Sequence, residues 1–427
     1  MSAMIGCCCL SLAGNAVTFV VNSAESTPDV TPGDGLALTA DGVTTLLAAV
    51  DESNALPGTD EILFDMAVLG GEARVGRGGR IIDDIRIVGP GAEALKIFGW
   101  YIVFSVDNSA EVEISGLTFE RNVGAYPPQT NPALPSVLEV KSGSVTIDAC
   151  KFVENASDTI YVRDGTLLIK NCTVEGEVVF LRNIGTSTVM GSVFRNNGEC
   201  IYSWDALSIE GCLFEGNSAL AIGHHEGTTT VKDSLLKENV DFLFFADSGT
   251  VDFSNVIVTL NKVAYNGILE VRGAALSLSN CSVTENTLRG ATGAGGGIIL
   301  QPNMGGSITI GNTLVAGNVN RLGQPVDVSG AFTSLGGNLI GVGDGATGFD
   351  GPGDMVGTAA APIDPKLGPV WDYGGGLPSV RLLPGSPAID AGLNSLITNP
   401  PFDGPPFYDM RGEGFPRIVN GTVDIGA

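Results

Sequence analysis

Short runs of alternating apolar and polar residues recur along this chain. Examples are "VTID" (145–148), "LSIE" (207–210) and "LSLS" (276–279). Alternation with period two predicts short strands with one buried face. A second pattern follows each run. An apolar residue, most often Phe, stands three positions before an Asn: "FERN" (119–122), "FVEN" (152–155), "FRNN" (194–197) and "FEGN" (214–217). Softer copies are "LKEN" (236–239), "VTLN" (258–261), "VTEN" (283–286) and "VAGN" (315–318).

The Asn positions set a period. The steps from Asn197 through Asn217 and Asn239 to Asn261 are 20, 22 and 22 residues. The 42-residue step from Asn155 to Asn197 fits two units if "VEGE" (174–177) fills the middle. Longer steps enclose a Pro-rich loop, "GAYPPQTNPALP" (124–135), and a Gly-rich one, "GATGAGGG" (290–297). A unit near 22 residues with three short strands, repeated in register, winds into a right-handed, single-stranded parallel β-helix. Equivalent residues then stack in columns about 4.8 Å apart. Phe, Leu and Val form an apolar column. Asn forms a ladder at a bend, where it tolerates turn geometry and its amide bonds along the stack. Further strands are expected in "IRIVG" (85–89), "LKIFG" (95–99) and "YIVFSV" (101–106).

A β-helix exposes an unpaired edge at each end, and both ends need covers. "TLLAAVDESNAL" (45–56) has Leu46, Ala49 and Val50 at helical spacing, and "PG" (57–58) stops it. The expected organisation is a partial signal peptide at 1–16, an N-terminal cap at 17–80, β-helix repeats at 81–330 and an irregular C-terminal region at 331–427.

Composition narrows the partners. The 60 glycines, twice the usual share, suit tight turns and not helices. The net charge of −25 argues against nucleic acid, which needs a basic face. No apolar run is long enough for a transmembrane helix. "MSAMIGCCCLSLAGNA" has a short apolar stretch and a small-x-Ala end at Gly14–Ala16, like the tail of a secretory signal without its basic start. Three of eight cysteines lie in that leader. Cys150, Cys172, Cys212 and Cys281 each fall two residues before the strand Phe or Val, so they are expected as buried thiols rather than disulfides or metal ligands.

Both ends carry a family resemblance. The run from "VTFVVNS" to "PGTDEILFD" resembles the CSLREA domain of exported bacterial β-helix proteins, with "TTLLAAV" (44–50) in place of the name-giving motif. Thr45 can cap the helix, whereas Ala48 replaces the Glu of a capping box. Ala37 and Thr44 stand where that family often has cysteines. At the other end, "SLGGNLIG" (334–341), "GTAAAPIDPKLGPV" (357–370), "LLPGSPAIDAG" (382–392) and "DMRGEGFPRIVNGTVDIGA" (409–427) are similar to the choice-of-anchor Q region of secreted bacterial repeat proteins. The resemblance implies a secreted or cell-surface protein, associated with a bacterial outer membrane, of the pectin-lyase-like fold. It further implies an adhesive or structural role like that of polymorphic outer membrane proteins, with glycans or surface proteins as partners and no cofactor required.

The columns also carry candidate chemistry. One turn column reads "RDG" (163–165), "WDA" (204–206), "HEG" (225–227), "DSG" (247–249) and "VRG" (271–273). Asp205 and Glu226 should lie one rung apart, beside Trp204, His224, His225 and Asp247. Two such carboxylates bind a cation or share a proton, Trp is a platform for a sugar ring, and His carries protons. The plain alternative is a row of solvated turn residues. In "DGATGFDGPGD" (344–354), Asp344, Asp350 and Asp354 could offer oxygen ligands to Ca2+, or form a simple acidic loop. No full set of carboxylates with a basic partner emerges. The rival function, a polysaccharide lyase or glycoside hydrolase working along the helix side, therefore has only these fragments.

Overall fold

The computed structural model describes residues 16–70, 73–76, 78–99, 102–122, 136–156, 158–265, 267–290 and 296–427. Cys7, Cys8 and Cys9, within the expected signal-like segment, and the Pro-rich stretch 124–135 lie outside the described residues. The chain winds as a right-handed parallel β-helix. In one typical coil the strands are Glu199–Ser203, Leu207–Glu210 and Leu213–Glu215. They belong to three long sheets, here I, II and III, in which each strand pairs in parallel with its counterpart one coil away.

The ladder overruns the expected limits of 81–330. It begins at Thr18–Val21, which pairs in parallel with Asp60–Phe64, and continues to Met355–Val356. The N-terminal cap thus contributes the first rungs of sheet II rather than only a plug. Its helix, Leu46–Ser53, buries Leu46, Ala49 and Val50, and Thr45 Oγ1 accepts the Ala48 N–H at 3.0 Å.

The two sequence patterns define the interior. In sheet II, Ile147, Ile169, Val189, Ile209, Val231 and Phe253 stand in register and are buried. In sheet III the register runs Phe119, Phe152, Val174, Phe194, Phe214, Leu236. Val174 would leave a gap in the ring stack. Phe180, from sheet I of the following coil, fills it, with ring centres 5.1 Å from Phe152 and 5.5 Å from Phe194.

The Asn ladder runs at the corner between sheets III and I. Asn217 Nδ2 donates to Asn239 Oδ1 at 2.8 Å and to the Phe194 carbonyl at 3.1 Å, while its N–H donates to the same Asn239 oxygen at 3.0 Å. The same bonding links Asn122 to Asn155 and each ladder Asn from Asn197 to Asn318. Glu177 is the rung between Asn155 and Asn197. Asp327 ends the ladder above Asn318. The residue before each rung from Asn122 to Asn318 takes the left-handed conformation, even Leu260 at φ 58° and Glu238 at φ 56°. That conformation costs a non-Gly residue about 1–2 kcal/mol, and the ladder bonds of the next residue hold it in place.

Cys150, Cys172, Cys200, Cys212 and Cys281 are free and buried. Burial pushes the thiols of Cys172, Cys212 and Cys281 up to about 12, so they behave as small apolar groups. The C-terminal region is largely irregular, with one short hairpin of Ile418–Val419 and Thr422–Val423. It lies along the side of the helix. Met410 packs on Leu213, Leu235 and Ile257, the outward row of sheet III, and Ala388 and Ile425 pack on Leu314 and Leu339. A cavity of about 290 Å³ remains beneath this arm, lined by Arg417, Asp409 and Asp424. Among the described residues no helix is long and apolar enough to cross a membrane.

Candidate functional site

Sheet III is covered on its outer side, but sheet I is open there, and its outer face carries rings. Strand alternation decides which side chains reach that face. In Glu199–Ser203, Ile201 and Ser203 point inward and are buried, while Tyr202 is half-buried on the outside. Pairing places Tyr202, Gly223 and Phe245 in one outward row. Gly223 is needed there. A Cβ on it would come within 2.8 Å of the Phe245 ring. The next row, just past the strand ends, holds Trp204, His225, Asp247 and Arg272 on successive coils.

The rings form one continuous stack across four coils. Trp204 and His225 are parallel, with centres 4.4 Å apart, and Tyr202 lies 5.9 Å from each. His225 meets Phe245 edge-on at 5.0 Å, Phe245 stacks on Phe242 at 5.2 Å, and Phe242 on Tyr265 at 4.4 Å. An arginine closes each flank. Arg182 lies over Tyr202 and Trp204, and Arg272 over Phe242 and Phe245. Both are anchored. Arg182 donates to both oxygens of Asp158 at 2.7 and 3.1 Å. Arg272 donates to Asp247 and Glu270, each at 3.1 Å, and the second Asp247 oxygen lies 2.9 Å from His225 Nδ1. Beside the stack, Glu199, Tyr202, Leu220, Asp241, Phe242 and Tyr265 line an open groove of about 360 Å³.

Residues 102–262 match the family model for the right handed beta helix region. The match spans most of the ring stack, from Arg182 to Phe245, and stops just short of Tyr265. No curated protein matches the chain. Within this β-helix, the candidates of the turn column divide. Trp204, His225 and Asp247 come together as part of the stack. His224 does not join them. It is the last residue of its strand and points inward, fully buried, with Nδ1 2.9 Å from Thr229 Oγ1. Burial lowers its pKa, so the ring is neutral. Asp205 and Glu226 are exposed on neighbouring coils. Among the described residues neither side chain is in a hydrogen bond or an ion pair. The column also shifts by one residue at its end: Ala246 pairs with Val271, so Arg272, not Val271, follows Asp247.

The acidic loop does not assemble into a cation site. Asp354 spends its oxygens on Asn338, whose N–H and Nδ2 donate at 3.0 and 2.9 Å, and on Ser334 Oγ and the Gly351 N–H. Asp344 accepts the Ala359 N–H, and Asp350 is exposed. Among the described residues no three His, Cys, Asp or Glu side chains converge to hold a metal ion.

Sequence reading missed Tyr202, Phe242, Phe245 and Tyr265, and both arginines. A signal existed. Once the Asn ladder fixes the register, the parity of "ECIYSW" (199–204) sets Tyr202 beside Trp204 and that of "FFAD" (244–247) sets Phe245 beside Asp247, whereas Phe242, three residues before Phe245, breaks the alternation and carries no such signal.

Proposed function

We propose that this is an exported, surface-displayed β-helix protein that binds a glycan on the outer face of sheet I, in an adhesive or structural and non-enzymatic role. The observation that carries this reading is the ring stack with its groove, ending in Tyr265, half exposed at 50%. A groove with apolar walls and a few polar groups suits a sugar, whose C–H face packs on rings while its hydroxyls bond to carboxylates. The surface is rigid, because every strand beneath it is pinned by two neighbours. Export is supported by the resemblance of both chain ends to secreted repeat proteins. Binding rather than catalysis is supported by the state of the charges in the stack, where Asp158 and Asp247 are held by arginines. The rival reading, a lyase or glycosidase, has one arrangement in its favour, the His225–Asp247 pair beside Trp204. Calorimetry against neutral, acidic and amino-sugar oligomers, with chromatography of the same mixtures, tests both. Binding that is lost in Tyr265→Ala, with the oligomers left intact, is the expected result. Failure to bind any glycan, or steady release of reducing or unsaturated ends, overturns the proposal.

A further inference from the structure

The groove beside the stack has a definite charge. Leu220 and Phe242, the tyrosines Tyr202 and Tyr265, and the acidic residues Glu199 and Asp241 line it. Among the described residues neither carboxylate is in an ion pair. Arg182 feels the Glu199 charge but gives its hydrogen bonds to Asp158. Arg272, on the far flank, is likewise held by Asp247 and Glu270. The basic groups around the stack are therefore already neutralised, while the acids in the groove are not. Ring faces are electron-rich and attract cations, and an adjacent carboxylate adds to that attraction. The whole chain carries −25, which favours the approach of a positive ligand and repels a negative one.

We propose that this groove takes the protonated amine of an amino-sugar glycan, between the rings of Tyr202 and Tyr265 and the carboxylates of Glu199 and Asp241. The inference rests on the glycan-binding reading and adds the charge of the ligand to it. An acidic polysaccharide is repelled. An N-acetylated chain keeps its ring stacking but offers no charge to the two acids.

The test is calorimetry on the full chain with four oligosaccharides: free-amine glucosamine, N-acetylglucosamine, a neutral β-glucan and a polygalacturonate, with an oligolysine peptide as a fifth probe. The glucosamine oligomer is expected to bind about tenfold or more tighter than its acetylated form, which corresponds to at least one cation–π and carboxylate contact. Raising the salt should weaken it. Glu199→Gln with Asp241→Asn should remove that preference without moving the melting temperature. Equal binding of the acetylated or neutral oligomer, unchanged in the double variant, overturns the charge inference and leaves the glycan-binding reading standing. No binding of any oligosaccharide overturns both. Oligolysine binding in the absence of glucosamine binding assigns the groove to a basic peptide and overturns the inference as well.

Discussion

This molecule carries two stacks of aromatic rings, one inside the helix and one outside it. Inside, Phe104, Phe119, Phe152, Phe180, Phe194 and Phe214 follow one another with centres 4.5–6.3 Å apart, all at most 1% exposed. Outside, Tyr202, Trp204, His225, Phe245, Phe242 and Tyr265 have comparable spacings. The same rung-to-rung rise sets both. What differs is the chemistry around them. The inner rings are all Phe and need no polar partner. The outer ones include Tyr, Trp and His, lie against two arginines, and border Glu199 and Asp241. A core needs only volume and apolarity. A half-exposed stack with polar handles gains little stability for its size, and its placement is better explained by what it can touch.

The comparison is broken most severely from the inside. Phe214 is fully buried and stacks on Phe194 at 4.5 Å with the rings nearly parallel. Phe214→Asn removes that contact and buries an unpaired amide, and it should cost about 3–5 kcal/mol. Denaturant midpoints measure it, with ring truncations in the outer stack expected to shift them far less. A shift under about 1 kcal/mol would mean the inner stack is not what holds the coils together.

The next effect depends on pH. Glu177 replaces Asn in the ladder, where Asn155 donates to its Oε1 at 2.9 Å and Thr159 Oγ1 bonds the other oxygen. Desolvation pushes its carboxyl from 4.5 up to about 7. The folded state therefore holds the proton more tightly than the unfolded one. Its contribution is fully present below pH 4.5 and is lost as pH rises to 7. Glu177→Gln keeps the acceptor for Asn155 and can donate to Thr159, whose hydroxyl reverses. It should match wild type near pH 4.5 and exceed it by on the order of 2–3 kcal/mol above pH 8. Melting curves across pH check it, and a constant gap at every pH would show that burial does not raise this carboxyl. The same swap at the ladder's end should go the other way. Asp327 accepts from Asn318 with Oδ1 and from the Val342 N–H with Oδ2, so an amide there sets donor against donor. Asp327→Asn should lower stability by about 1–2 kcal/mol at neutral pH.

These contrasts also explain what the sequence made legible. The Phe and Asn positions repeat every coil, so a period near 22 residues exposed the fold, the buried thiols and the ladder, and even placed Glu177's segment as a rung. Two things lacked that periodicity. The C-terminal arm has no repeat to follow, and its packing on Leu213, Leu235 and Ile257 depends on contacts about 150–200 residues away in sequence. The outer stack draws one or two rings from each of four coils, at positions where neighbouring coils carry Arg, Gly or Ile, as at Arg182, Gly223 and Ile184. Trp204, His225 and Asp247 could be singled out by residue type alone. His224 could not be separated from His225 without the strand's parity, which turns adjacent residues to opposite faces.

Gly223→Ala sharpens the comparison from the outside. The new methyl would meet Phe245 at 2.8 Å and Leu220 at 2.9 Å. Both belong to the outer assembly, and the inner Phe column is untouched. The variant should lose about 1–2 kcal/mol from overpacking, and with it the alignment of Tyr202 and Phe245 beside the groove. Near-UV circular dichroism of the aromatic bands should change while the far-UV strand signal stays. If the far-UV signal falls too, the outer stack is part of the helix's own scaffold and the distinction between the two stacks fails.

The smallest effect belongs to the exposed carboxylate pair at the corner. Asp205 and Glu226 stand on neighbouring coils at the corner beyond the outer stack, both exposed, and among the described residues neither side chain is engaged by a cation or a hydrogen-bond donor. Like charges in water at that spacing repel weakly, and salt screens what remains. Glu226→Gln should leave the melting temperature where it is, or raise it slightly at low salt. Because the groove is lined by Glu199 and Asp241 rather than by this pair, the variant should also bind the glucosamine oligomer as wild type does. Tyr265→Ala, measured beside it, should bind poorly with a similarly small change in melting. If Glu226→Gln abolishes binding and Tyr265→Ala does not, the ligand sits at the corner of residues 204–226, and the outer stack serves only to hold that corner in place.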